Sequence, residues 1–225
     1  MSTTVCYTAV FGGYDTLKPH PEMDNVDFIA ITDRPMYSPY WEVHVMPSNH
    51  QCFQQNHPRM QAKWFKMHPD IFFPDYKNVL WVDSSQTILT AHYADRCAAA
   101  VTGSGIAVHD HPEPRDCVYQ EAPYSLEVHP AKYNNQPLIE QVNHYRTQGF
   151  PEHQGLYACG TIATVDSPDC RRVMSAWWDE NVAWSYQDQL SLPYVCWRNG
   201  VRPSTFPWGQ SSGQETIVGG HLFMG

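Results

Sequence analysis

The segment Leu80-Trp-Val-Asp83-Ser84-Ser85 ends an apolar, β-forming run on a carboxylate, with a second oxygen donor two residues further on. Hard divalent cations take oxygen ligands, often only one or two from protein, while phosphates and waters supply the rest. A strand that delivers Asp83 and Ser85 into a crevice is therefore suited to a cation lying between two phosphates. An aspartate at a strand end also caps the following turn, so the segment alone leaves both roles open. Upstream, Arg59 and Lys63 lie four residues apart and share a helical face. Two cations beside a diphosphate would offset the charge that grows as a nucleoside diphosphate departs; the same spacing also describes a solvated basic face.

A second cluster, His109-Asp-His111-Pro-Glu113, sets two imidazoles two apart at the end of an apolar run. Alternate strand residues point the same way, so this pair could ligate a transition metal. No further Cys or His stands nearby at zinc spacing, and an acceptor-side or structural role competes with the metal reading. Trp177-Trp178 reads as core with partial exposure in preference to a sugar platform. The seven cysteines include no C-x-x-C pair, which favours reduced thiols over disulfides or a zinc knuckle.

These groups need elements to position them. Strands are predicted at 5–10, 28–32, 41–45, 79–82, 106–109 and 160–165, from short β-rich runs stopped by Gly, Asp or Pro. Helices are predicted at 55–65, 93–101, 168–183 and 187–197, the last interrupted by Pro193, with a mixture of helices and loops over 114–150. Such alternation indicates an α/β fold in which ligands bind at the carboxyl ends of strands. Gly12-Gly13, Asp33 and Asp83 all fall at such ends.

At 225 residues, with no linker-like stretch, the chain reads as one domain. A net charge of −9 without a basic stripe disfavours a general grip on nucleic-acid phosphates. The first residues carry no signal-peptide pattern and no run approaches the ~18 apolar residues of a membrane span, so a cytoplasmic protein is expected. Eight Trp and thirteen Tyr are compatible with stacking on sugars and bases.

Taken in order, Met60-Gln-Ala-Lys63-Trp-Phe-Lys66, Val79-Leu-Trp-Val-Asp83, Gly155-Leu-Tyr-Ala-Cys-Gly160-Thr-Ile and Asp188-Gln189-Leu-Ser191 resemble the motifs of retaining glycosyltransferases with the GT-A fold. Tyr7-Thr-Ala-Val-Phe-Gly-Gly-Tyr-Asp15, His111-Pro-Glu-Pro-Arg115-Asp-Cys-Val-Tyr119-Gln-Glu121 and Trp177-Trp178 are similar to a glycosyltransferase-like family long catalogued as a domain of unknown function. The resemblance covers residues 5 to about 200 and implies a single Rossmann-like GT-A domain, a mixed sheet flanked by helices.

It further implies a nucleotide-sugar donor, such as a uridine diphosphate sugar, and retention at the anomeric carbon. Thr8, Ala9 and Phe11 would line the base, Asp33 would reach base or ribose, and Arg59 and Lys63 would meet the phosphates. Asp83, Ser85 and His221 would hold Mn2+ or Mg2+. Asp188 and Gln189 would flank the reacting sugar, with His111, Arg115 and Glu121 on the side of an acceptor glycan, protein, small molecule or modified DNA base. Departures accompany the likeness: Ser85 replaces the second metal-binding acid, Ala158 replaces an Asn, and the sequence after His221 leaves the pattern. Two other readings stand beside this one: a metal-dependent hydrolase built on His109 and His111, and a catalytically silent module that binds nucleotide-sugars or glycans.

Overall fold

The computed structural model describes residues 2–112, 115–209 and 215–218. Its first strand, β1 (Thr4–Val10), is buried along its whole length, as befits a strand covered on both faces. β2 (Val26–Thr32) pairs with it in parallel, and β3 (Glu42–Val45) pairs in parallel with β2. α1 (Pro58–Met67) follows a 3-10 turn and starts three residues after its predicted position. His57 caps it by accepting the Arg59 N–H at 3.2 Å, and Pro58 occupies the first helical position, where no N–H is required.

After the single turn α2 (Pro69–Phe72), β4 (Asn78–Val82) pairs in parallel with the other side of β1. Next come β5 (Gln86–Ile88), α3 (Tyr93–Ala100), β6 (Ile106–Asp110), α4 (Val118–Val128), α5 (Pro130–Tyr133) and α6 (Leu138–Thr147). The chain continues through β7 (Tyr157–Thr164), α7 (Pro168–Ala183), α8 (Asp188–Arg198), β8 (Ser204–Thr205) and β9 (Thr216–Val218). The seven-stranded mixed sheet is ordered β3-β2-β1-β4-β7-β6-β8, with β7 antiparallel to both neighbours. β5 and β9 make a separate antiparallel ribbon. One face of the sheet packs under α1, α7 and α8, the other under α3 with Trp41 and Phe206. The result is a single α/β domain, the class that the alternation of elements predicts, and it is Rossmann-like in plan.

Pro193 does not interrupt α8, contrary to the sequence expectation. A proline inside a helix costs about 3 kcal/mol, whereas each large apolar side chain buried contributes about 1.5–3 kcal/mol. Leu190, Leu192, Tyr194 and Val195 are all buried, and Tyr194 stacks on Tyr145 with ring centres 3.7 Å apart. Packing therefore outweighs the lost hydrogen bond. All seven cysteines are buried free thiols. No helix among the described residues is long and apolar enough to cross a membrane.

The turn after β1 ties the sheet to α1. Gly12 has φ +70°, and a Cβ there would lie 2.8 Å from Cβ and Cγ of Pro58. We expect Gly12→Ala to cost about 1–3 kcal/mol, through the strained backbone and the displaced helix start. Urea unfolding of the two proteins provides the check; equal midpoints would show that the turn can shift freely.

Candidate functional site

Four charged side chains meet where β4, α1 and α8 converge. Lys63 and Lys66, three apart on α1, both donate to Asp188 Oδ2, at 2.5 and 2.7 Å. Lys66 also reaches Asp83 Oδ1 at 3.4 Å, and the Trp81 indole N–H donates to that same oxygen at 2.6 Å. Asp188 is the first residue of α8, where the helix dipole favours a negative charge. The Trp177 indole fixes this first turn from α7, donating to the Asp188 carbonyl and to Ser191 Oγ, each at 3.0 Å.

Burial alone would raise the Asp188 pKa, but the attraction of Lys63 and Lys66 more than offsets it and holds the carboxyl well below its usual range. Burial pulls Lys66 downward, yet Asp188 and Asp83 carry it above the usual lysine value. For Lys63, burial wins over Asp188 and its pKa falls. Of the Arg59–Lys63 face, Lys63 turns inward to Asp188 with its side chain 15 % exposed, so that half of the face is not solvated.

A cleft of about 750 Å³ opens over this cluster at the carboxyl ends of β1 and β4. Ala9, Phe11, Tyr14 and Pro58 give it an apolar end, and Arg59, Lys63, Lys66, Lys132, Asp83 and Asp188 a charged one. Its four cations face three carboxylates, and one of those, Asp15, is already paired with Lys18 at 2.8 Å. Among the described residues neither Arg59 nor Lys132 has a carboxylate within ion-pair distance. Arg59 lies over the Tyr14 ring at 5.0 Å. The Lys132 pKa is pushed down to about 8, by burial first and then by Lys63 and Arg59, with Asp188 and Asp83 pulling the other way. The cleft is short of anions in a chain that carries an excess of them.

A second cavity, of about 670 Å³, shares Asp83, Lys132 and Asp188 with the first. Its lining is polar: His111, Arg115, Glu121, Ser125, His129, Gln187 and Gln189 all face it. Glu121 accepts from Arg115 Nε at 2.7 Å and from Ser125 Oγ at 3.1 Å, and His111 Nε2 stands 4.0 Å from it. Burial lowers the His111 pKa, partly countered by Glu121. Gln187, held by the Tyr133 hydroxyl at 2.6 Å, donates to Gln189 Oε1 at 3.3 Å. In β7 the register jumps from Ile162 opposite Val108 to Ala158 opposite His109, and Cys159 and Gly160 in that irregularity line the cavity.

Most of the residues singled out in the sequence are brought together. Ala9, Phe11, Arg59, Lys63, Asp83 and Asp188 line the first cavity; His111, Arg115, Glu121 and Gln189 line the second. Thr8 is buried, and Asp33 accepts the Gly12 N–H at 2.8 Å while pairing with Arg34; neither lines the two cavities. Ser85 is buried, and its neighbour Ser84 faces the cleft, donating to Asp15 Oδ2 at 3.1 Å. His221 lies outside the described residues. His109 does not join His111: it is fully buried edge-on against Phe206, its Nδ1–H donating to the Trp208 carbonyl at 3.0 Å, with its pKa lowered to about 4 by burial. β6 ends at Asp110, so the alternation that would align the two rings stops between them.

Lys66, Lys132, Tyr14, Asp15 and Gln187 escaped the sequence reading. Only Lys66 had a usable signal, its i,i+3 spacing from Lys63. The residues do not fit a divalent cation well. One Asp83 oxygen is already taken by Trp81 and Lys66, and at an effective dielectric of 20 two unit charges 4 Å apart repel by about 4 kcal/mol, twice that for a divalent ion. Among the described residues there is no group of three His, Cys, Asp or Glu that could hold a metal. No known protein family and no curated protein matches the chain.

Three expectations follow. Asp188→Asn leaves buried Lys63 without a carboxylate and Lys66 with only its 3.4 Å contact to Asp83, and should cost about 3–5 kcal/mol, whereas Asp83→Asn, whose side chain is 39 % exposed, should fold near normally. Because the folded Asp188 pKa is depressed, its contribution is complete above the unfolded value of about 3.9 and is lost as pH falls below it. Denaturant melts between pH 3 and 7 test both points; equal stability of the two variants would remove the central role of Asp188. Lys132, by contrast, destabilises the fold at neutral pH. Its folded pKa lies below the unfolded value of about 10.4, so the unfolded chain holds more protons between pH 8 and 10 and stability from this group rises across that window. Lys132→Gln should raise the melting temperature at pH 7 and flatten that rise; an unchanged profile would show that burial beside Lys63 and Arg59 does not strain Lys132.

Proposed function

We propose that this chain is a glycosyltransferase that moves a sugar from a nucleotide-sugar, a uridine diphosphate sugar in the first instance, to an acceptor hydroxyl. One observation carries the reading. Two cavities, one with an apolar end and an unmatched cationic end, the other mainly polar, meet at Asp83, Lys132 and Asp188. A nucleotide-sugar has that division of chemistry: a flat base, an anionic diphosphate, and a sugar whose anomeric carbon must lie where donor and acceptor sites touch. The motif likeness points the same way.

The base would rest against Phe11, Tyr14 and Pro58, and the diphosphate against Arg59 and Lys63. In the reaction the bond from the anomeric carbon to the diphosphate oxygen breaks and a bond from the acceptor oxygen forms. The acceptor proton goes to a phosphate oxygen of the departing nucleoside diphosphate. This route is supported by the state of the carboxylates that face the second cavity. Asp188 is held by two lysines, Asp83 by Trp81 and Lys66, and Glu121 by Arg115 and Ser125. A carboxylate so engaged is a poor general base. Gln189 is neutral and would support the sugar at the junction, which fits retention.

The polar lining of the second cavity suits a hydroxyl-bearing acceptor, on a glycan, a protein, a small molecule or a hydroxymethylated base. The hydrolase reading loses its metal pair with the burial of His109. We expect the product to keep the donor's anomeric configuration, and Gln189→Ala to slow transfer while sparing donor binding. Proton NMR of the new linkage reports the configuration directly. An inverted coupling would transfer proton removal to His111, and donor binding without any turnover would reduce the protein to a binding module.

A further inference from the structure

We propose, resting on the nucleotide-sugar reading, that this site holds and releases its diphosphate with side-chain cations alone: Arg59, Lys63, Lys66 and Lys132 do the work of a divalent ion. Lys66 is the first ground for this. Its ammonium stands 3.4 Å from Asp83 Oδ1 and 2.7 Å from Asp188 Oδ2, a fixed positive charge at the strand end where a cation would have to bind. The indole of Trp81 takes the same Asp83 oxygen, so the strand-end acid is turned to holding a lysine.

The second ground is the balance of charge. Lys63 and Lys66 are matched by Asp188 and Asp83, and Asp15 is matched by Lys18. Arg59 and Lys132 remain, both lining the cleft, with no carboxylate partner among the described residues. Two unmatched positive charges equal the two negative charges of the diphosphate bridge in a nucleotide-sugar. A divalent ion in addition would leave the bound complex with an excess of positive charge inside a half-closed cleft.

The third ground is position. Arg59 comes from the first turn of α1, and Lys132 from α5, where the Tyr186 hydroxyl donates to its carbonyl and His57 stacks on Tyr186 at 4.8 Å. The two cations thus approach from separate elements, and Lys132 borders both cavities. It stands where the diphosphate of a bound sugar donor would become a leaving group. Charge that grows on the departing oxygen would be met by groups already in place, the arrangement in which electrostatic stabilisation is most effective.

Calorimetric titration of the full chain with inorganic pyrophosphate, with UDP and with a UDP-sugar, after EDTA treatment and again with added manganese, tests the proposal. Pyrophosphate and UDP should bind equally, within about twofold, in EDTA and in manganese. Arg59→Gln and Lys132→Gln should each weaken pyrophosphate about tenfold or more, since a charge-assisted hydrogen bond contributes that much. Both positions lie at the cleft surface, so circular dichroism should show intact folds. Binding that vanishes in EDTA and returns with manganese overturns the proposal, even if sugar transfer is then observed and the glycosyltransferase reading survives. Pyrophosphate affinity unchanged in both variants overturns it as well. Metal-free binding of pyrophosphate with no binding or turnover of any nucleotide-sugar would keep the cationic clamp and remove the glycosyltransferase reading.

Discussion

Two buried ammonium groups shared between two carboxylates hold the site together. Lys63 and Lys66 reach from α1 to Asp188 on α8, and Lys66 extends the link to Asp83 at the end of β4. Each of these charges would be costly to bury alone, and the set is tolerable only because each is paired and hydrogen-bonded. A cluster of this kind adds little net stability compared with an apolar core. Its effect is on geometry, because α1, α8 and β4 can meet in only one arrangement that leaves no charge unmatched.

Several neighbouring features support that arrangement. Trp81, one residue of β4 pointing into the main core, turns its indole N–H to Asp83 and its ring to the Lys66 ammonium at 5.4 Å. Trp177 holds the first turn of α8, and Asn181 secures the Ser191 hydroxyl that Trp177 also uses. The cost of Pro193 is borne by the deeply buried face of α8. These are core residues by burial, yet their polar atoms all serve the positions of two carboxylates.

The sheet and its strand-end chemistry were legible in the sequence because short β-rich runs ending at Gly or Asp are local signals. Asp83 could be placed at the head of the site on that basis, and Ala9, Phe11, Arg59 and Lys63 around it by order. What could not be read depends on tertiary contacts. Spacing puts Lys66 on the same helical face as Lys63, but its burial is decided by Asp188, more than a hundred residues away. Lys132 sits in a single-turn helix without periodicity. Ser84 rather than Ser85 faces the cleft because the Gln86 N–H returns to the Asp83 carbonyl at 2.9 Å and tightens the turn. The His109–His111 pairing failed for a similar reason, as strand alternation ends at a boundary that sequence places only to within a few residues.

The two cavities also draw on different parts of the chain. The first is built chiefly on β1, α1 and the end of β4, all within the first 84 residues, whereas most of the second comes from the single excursion between β6 and β7. That excursion leaves and rejoins the sheet at adjacent, paired strands. Over evolutionary time it can lengthen, shorten or change its side chains while the strands beneath it keep their neighbours. Descendants of this architecture are therefore free to diversify the second cavity while inheriting the first nearly unaltered.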